Sequence, residues 1–159
     1  MVAAHDGCDV SLWMACGGRE TLLSYGAPCP DPLELKRVPI EHWYFMERDC
    51  RDWFETETHF FVHACADPNV PLDEQPDSVL HWERFEAAGP HCSGKIMVCG
   101  HTQQRDGVPR NVGHAVCIDT SCYTGRWLTC LDVETGMYWQ ANEQGEVREG
   151  VLSAPKRRW

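Results

Sequence analysis

Basic residues are scarce: Lys and Arg number 14 against 24 Asp and Glu, for a formal net charge of −10 with histidine neutral. That balance sets aside nonspecific nucleic-acid binding and adhesion to anionic membranes, both of which need a positive face. The one basic cluster, Lys156, Arg157 and Arg158, reads as a solvated tail over residues 153–159. No CxxC pair occurs, and the closest cysteines, Cys117 and Cys122, have four residues between them, so the usual signature of structural zinc is missing. No apolar stretch is long enough to cross a bilayer. The first ten residues hold His5, Asp6 and Asp9 where a secretory signal needs an unbroken apolar core. Internal repeats and low-complexity tracts are absent too.

What is present points to an ordinary packed domain. A chain of 159 residues has room for one domain and buries roughly 70% of its unfolded surface. Its ten cysteines are expected to be reduced and mostly buried, as small hydrophobes in a cytoplasmic protein.

The first third reads as helical. Val10, Trp13 and Met14 fall at i, i+3 and i+4 after Asp9, a suitable N-cap, which predicts a short helix ending at Gly17 and Gly18. A second turn with Leu22, Leu23 and Tyr25 ends at Gly26, and the proline-bearing stretch 27–38 reads as a loop. Pro39 then opens a helix to about Asp49. Its Ile40, Trp43, Tyr44, Phe45 and Met46 cover most of the circumference and predict deep packing.

From Trp53 onward the pattern is extended. Phe60, Phe61 and Val62 read as a buried strand ending at His63, and Ile96, Met97, Val98 and Cys99 as a second one followed by Gly100 and His101. A helix starting after Pro76 lies between them. Residues 115–118, 127–133, 137–141 and 146–148 predict an antiparallel meander with turns at 134–136 and 142–145. The class is α/β or α+β, with N-terminal helices and a C-terminal meander.

Two buried strands that each finish in a histidine put both imidazoles where ligands gather in open sheets, past the carboxyl ends of the strands. Imidazole is a common ligand for zinc, iron and manganese, so the pair has the makings of half a metal site. Two hydrogen-bonded histidines at strand ends remain the alternative.

The strings FVHACADP at 61–68, HWERF at 81–85, VCGHTQQ at 98–104 and CIDTSCYTGRWLTCLDV at 117–133 resemble the C-terminal half of the PPP-type serine/threonine protein phosphatases. They are most similar to the bacterial members, within the calcineurin-like metallophosphoesterases. WMACGGRETLLSYG at 13–26 is similar to the segment that follows the family's GNHE motif. The likeness is collinear over residues 13–152.

The resemblance implies part of a four-layer αββα sandwich and a cytoplasmic hydrolase of phosphoproteins, with two divalent metal ions (manganese, iron or zinc) activating the attacking water. It implies metal ligation by His63 and His101, with their nitrogens no more than about 8 Å apart if they share an ion, and phosphate binding by Arg84 through its guanidinium fork. Asp119 is either a carboxylate that orients a ligand histidine or a turn aspartate. The alternative for Arg84 is a surface residue on the helix after Pro76 with Glu83 as its ion-pair partner; Cys65 reads as an inert buried thiol or an oxidisable one beside a ligand position, and Arg126 as a loop substitution or a substrate-facing charge. His42, His59, His81, His91 and His114 fall outside the family's ligand positions.

One departure dominates. The family's GDxHG, GDxxDRG and GNHE motifs, which supply the remaining ligands, a second arginine and the general acid, do not occur in this sequence. Three readings follow: a protein phosphatase portion that needs an N-terminal half, a portion of a dinucleoside polyphosphate hydrolase of the same superfamily, or a noncatalytic binding module. On the first two, this chain alone holds at most a weak partial metal site, and the strand at Phe60–Val62 and the helix from Ile40 are the surfaces left uncovered.

Overall fold

The computed structural model describes residues 10–155, and the chain divides into two units, Met1–Arg51 and Asp52–Trp159. Asp9, expected as an N-cap, and the basic cluster Lys156 to Arg158 lie outside the described residues.

In the first unit a helical segment from Ser11 breaks where Cys16 and Gly17 leave helical geometry, Gly17 with a φ of 101°. The chain resumes as a helix at Arg19–Ser24 and stops at Gly26, whose φ of 74° suits a glycine ending a helix. Stretch 27–38, expected as a loop, holds a helical turn at Pro32–Arg37. Proline at its first position and the Asp31 carboxylate, which accepts the Leu33 N–H at 2.8 Å, start it. The helical run Ile40–Tyr44 and Phe45–Asp49 lies as expected, but not deeply packed: Ile40 is 54% and Phe45 59% exposed. A helix beside two short neighbours can bury only one stripe, and that stripe is Trp43, packed with Leu22, Ala27, Leu35 and Val38.

The second unit is built on a mixed five-stranded sheet. Strands β1 (Trp53–Glu55), β2 (His59–Val62), β3 (Ile96–Cys99), β4 (Arg110–Asn111) and β5 (Ala115–Cys117) lie in the order β1-β2-β3-β5-β4. β2, β3 and β5 run parallel in the centre, and the two edges are antiparallel. The stretch between β2 and β3 carries a helix at Asp77–Trp82 and is long enough for a parallel crossover. Phe60, Leu80, Phe85, Met97, Cys99, Ala115 and Cys117 form the core, with Phe60 fully buried. The Phe60 strand is therefore covered within this unit, contrary to expectation.

Stretch 115–118, expected as the first strand of a meander, belongs to the parallel centre instead. After β3 the chain crosses to the outer edge as β4, and Gly113, at φ 94°, turns it back so that β5 runs alongside β3. All three β5 residues are buried, as suits a strand covered on both faces.

The meander proper is a second, antiparallel sheet of β6 (Leu128–Leu131), β7 (Met137–Ala141) and β8 (Val147–Val151). One of its faces is polar yet buried. Gln140, 2% exposed, donates from Nε2 to the Gly107 carbonyl at 3.0 Å and to Thr129 Oγ1 at 2.7 Å, and its Oε1 accepts from Arg148 Nε at 2.7 Å. Leu128, Cys130, Trp139, Ala141 and Val147 line an open groove of about 470 Å³. Overall the class is α+β, a mixed sheet plus an antiparallel one. No helix among the described residues is long and apolar enough to cross a membrane.

Half the expectation for the cysteines fails. The nine described cysteines are all free, but Cys16, Cys29, Cys50, Cys92 and Cys130 are exposed, standing outside both buried clusters. Cys65, Cys99 and Cys117 are the buried ones.

Candidate functional site

The parallel strands β2, β3 and β5 end side by side, and each continues into a loop bearing a residue singled out above. Gly100 N–H donates to the His63 carbonyl at 2.9 Å, and Ile118 N–H to the Cys99 carbonyl at 2.8 Å, so sheet-like bonding carries past the strand ends. This brings His63 and His101 together. Nε2 of His63 stands 3.2 Å from Nδ1 of His101, and the rings meet edge to face with centroids 5.1 Å apart.

His101 has an unusual backbone. Its φ is 60°, and Thr102 N–H donates to the Gly100 carbonyl at 2.6 Å, so residues 100–102 form a tight three-residue turn of the strained, positive-φ kind. A histidine in such a turn projects from the strand end instead of continuing along it. Strain at this one position marks it apart from the ordinary strand ends of the sheet.

Burial favours the neutral form of His63. Burial lowers the His63 pKa from its usual value, and His101 and His81 add to the lowering, while the Asp119 carboxylate opposes them. His81 in turn contacts Asp52 through Nε2 at 3.2 Å. A neutral His63 is the form that ligates a metal.

The donor set also fits an ion in size. Two nitrogens each about 2.1 Å from one metal, subtending about 100°, lie about 3.2 Å from one another, which is the separation found between His63 and His101. Among the described residues no group of three or more His, Cys, Asp and Glu is arranged to hold a metal. What the structure brings together is two imidazole nitrogens within hydrogen-bond distance of one another.

Arg84 lies past the end of the helix, in extended backbone just before the turn Phe85–Ala87, not on the helix itself. Phe85 N–H donates to Thr102 Oγ1 at 2.9 Å, which ties its neighbour Arg84 to the 100–102 turn through one residue on each side. Glu83 is no ion-pair partner; its carboxylate accepts the backbone N–H of Arg84 at 2.8 Å, fixing the chain and leaving the guanidinium exposed. The Asp119 carboxylate accepts the Ser121 N–H at 3.0 Å, a turn role, and influences His63 through its charge. Cys65 is 1% exposed with its thiol pKa raised by burial. Arg126 donates to the Arg105 carbonyl.

Two features escaped the sequence reading, a ring against His101 and a strained serine two residues beyond Asp119. Trp82, 57% exposed, sets its ring edge against His101 with centroids 5.9 Å apart and planes at 88°. The HW dipeptide at the end of a helix was the available sign. Ser121 was the other: its φ is 64°, and its Oγ is buried without a hydrogen-bond partner. Two further histidines hold structure: His114 Nε2 donates to the Ala88 carbonyl at 3.1 Å and His91 Nε2 to that of Val70 at 2.9 Å.

Comparison with known protein families, curated proteins and solved structures finds no match to this chain.

Proposed function

We propose that this chain carries part of a metal-dependent phosphoesterase site of the serine/threonine protein phosphatase class. His63 and His101 supply two imidazole ligands, and Arg84 supplies a guanidinium for the phosphate of a phosphoprotein. The observation that supports this reading best is the 3.2 Å approach of His63 Nε2 to His101 Nδ1 at the carboxyl ends of neighbouring parallel strands. On this reading the mixed and antiparallel sheets are portions of a calcineurin-like sandwich.

Two neutral ligands leave a dication's charge uncompensated, so carboxylates must come from elsewhere for tight binding. In the family this chain resembles they belong to the GDxHG, GDxxDRG and GNHE motifs, and we assign their supply to a segment carrying those motifs. A bound divalent ion would polarise the phosphate and lower the pKa of a water molecule. The chain's own residues then have separable tasks: the histidines hold the ion, and Arg84 donates to phosphate oxygens as negative charge builds on them.

The test joins this chain to such a segment and assays a phosphopeptide with manganese. Activity should appear and need all three residues, and His63→Ala or His101→Ala should lose bound metal while Arg84→Ala keeps it. Equal metal loss in all three variants, or no activity from any fusion that folds, overturns the reading.

A further inference from the structure

Cys117 is fully buried, and none of the roles above uses it. It lies in β5 directly opposite Cys99 of β3, beneath the turn that carries His101. Its thiol donates toward two carbonyls, Thr102 at 3.1 Å and Gly100 at 3.5 Å. Those carbonyls belong to the residues on either side of His101, so a single S–H spans both ends of the strained turn.

The direction of these bonds follows from their partners: a carbonyl oxygen can only accept, so the Cys117 S–H is the donor in both. A non-glycine residue held at φ 60° is strained and persists only where its surroundings over-determine it. The surroundings that hold it are the Gly100 N–H on the His63 carbonyl, the Thr102 N–H on the Gly100 carbonyl, Gln104 Nε2 on the Thr102 carbonyl at 2.7 Å, the Phe85 N–H on Thr102 Oγ1, the Trp82 ring against His101, and the thiol. Of these side chains, Cys117 alone reaches both flanking carbonyls.

We propose that Cys117 is the positioning residue of the histidine pair: its thiol clamps residues 100–102 so that Nδ1 of His101 stays within reach of Nε2 of His63. A thiol is a weak donor, but in a buried site its loss leaves the Gly100 and Thr102 carbonyls with one donor each, Thr102 N–H and Gln104 Nε2, in place of two. The alternative is that Cys117 merely fills space, in which case alanine and serine perturb the site no differently from a similar change at Cys99. The inference rests on the proposed function only where a metal is used as the readout.

The test compares Cys117→Ala, Cys117→Ser and Cys99→Ala in the full chain, with imidazole NMR signals and the contact between the two rings as the first readout. Cys117→Ala should displace the His101 signals and weaken the ring-to-ring contact, while Cys117→Ser, which keeps a donor, and Cys99→Ala should leave both near wild type. As a second readout, cobalt(II) binding should weaken about tenfold in Cys117→Ala and recover in the serine variant. A folded Cys117→Ala with His101 signals like those of Cys99→Ala overturns the proposal, as does a folded serine variant in which His101 is displaced. If the alanine variant does not fold, the serine variant decides by the same criterion. Displaced His101 signals in a protein whose wild type binds no cobalt would sustain the clamp and defeat the metal reading.

Discussion

Thr102 Oγ1 accepts the backbone N–H of Phe85 at 2.9 Å, and this bond joins the two halves of the candidate site. Thr102 follows His101, and Phe85 follows Arg84, so the hydroxyl fixes the start of the 85–87 turn against the turn that aims the imidazole. Both partners are buried, Phe85 at 2% and Thr102 at 5% exposure. Thr102→Val, which keeps the shape and removes the acceptor, should cost about 1–3 kcal/mol in denaturant unfolding. It should also uncouple phosphate binding by Arg84 from metal binding in the fused protein. Unchanged stability would show that water satisfies the Phe85 N–H instead.

The chain by itself should hydrolyse neither a phosphopeptide nor an aryl phosphate, even with manganese, because two imidazoles without a carboxylate cannot assemble the paired clamp on attacking and leaving oxygens. Turnover that requires manganese and vanishes in His101→Ala would contradict this.

Acid should weaken the fold through His63. Its pKa in the folded chain is lowered by burial first and by its histidine neighbours next, so folding favours the neutral ring. An unfolded chain protonates the same ring near its ordinary value of about 6.5. The folded state binds fewer protons below that value, so stability is intact above about pH 6.5 and declines as pH falls through the lowered pKa. His59, also lowered by burial, adds in the same direction. Melting temperatures between pH 8 and pH 5 should therefore fall, with a smaller fall in His63→Phe; equal slopes in the two proteins would remove His63 as a cause.

Ser121→Gly should stabilise the chain. A serine at φ 64° is strained, and its buried Oγ has no partner, so glycine relieves both at the cost of added freedom in the unfolded chain. The expected gain is about 1 kcal/mol by chemical denaturation. A loss of stability would mean that the hydroxyl is satisfied by an ordered water.

The apolar groove on the second sheet should bind a hydrophobic dye. Leu128 is 65%, Val147 79% and Trp139 44% exposed, while the buried polar residue between them, Gln140, is fully engaged on the other face. Dye fluorescence should drop when Leu128 and Val147 are both changed to Thr, and should persist when Phe45, exposed on the first unit's helix, is changed to Ser. The reverse pattern would locate the binding surface on that helix instead.

Several local features were legible because the physics behind them is local. The helix breaks at Gly17 and Gly26 follow from glycine's freedom at positive φ, and the helix from Ile40 follows from the proline ahead of it. The strands around Phe60 and Met97, each followed by its histidine, follow from short apolar runs that stop abruptly. Other features were hidden because they depend on which strand pairs with which. Ala115, Val116 and Cys117 read alike as an edge of a meander or as the centre of a parallel sheet, and only the return of the chain at Gly113 makes them the latter. The apolar residues of the Ile40 helix read equally as deep packing or as an uncovered face, because periodicity does not say how many neighbours a helix will have, and only the structure shows Ile40 and Phe45 exposed.

The sequence by itself determined that two imidazoles stand at the ends of two buried strands, because strand length and termination are written in neighbouring residues. Tertiary structure alone decided that those strands are adjacent and parallel, so both histidines leave the sheet at the same end with their nitrogens 3.2 Å apart. It alone also placed a thiol from a third strand beneath the His101 turn, since contacts between residues 15 and 17 positions apart in the chain arise from packing and leave no periodic trace.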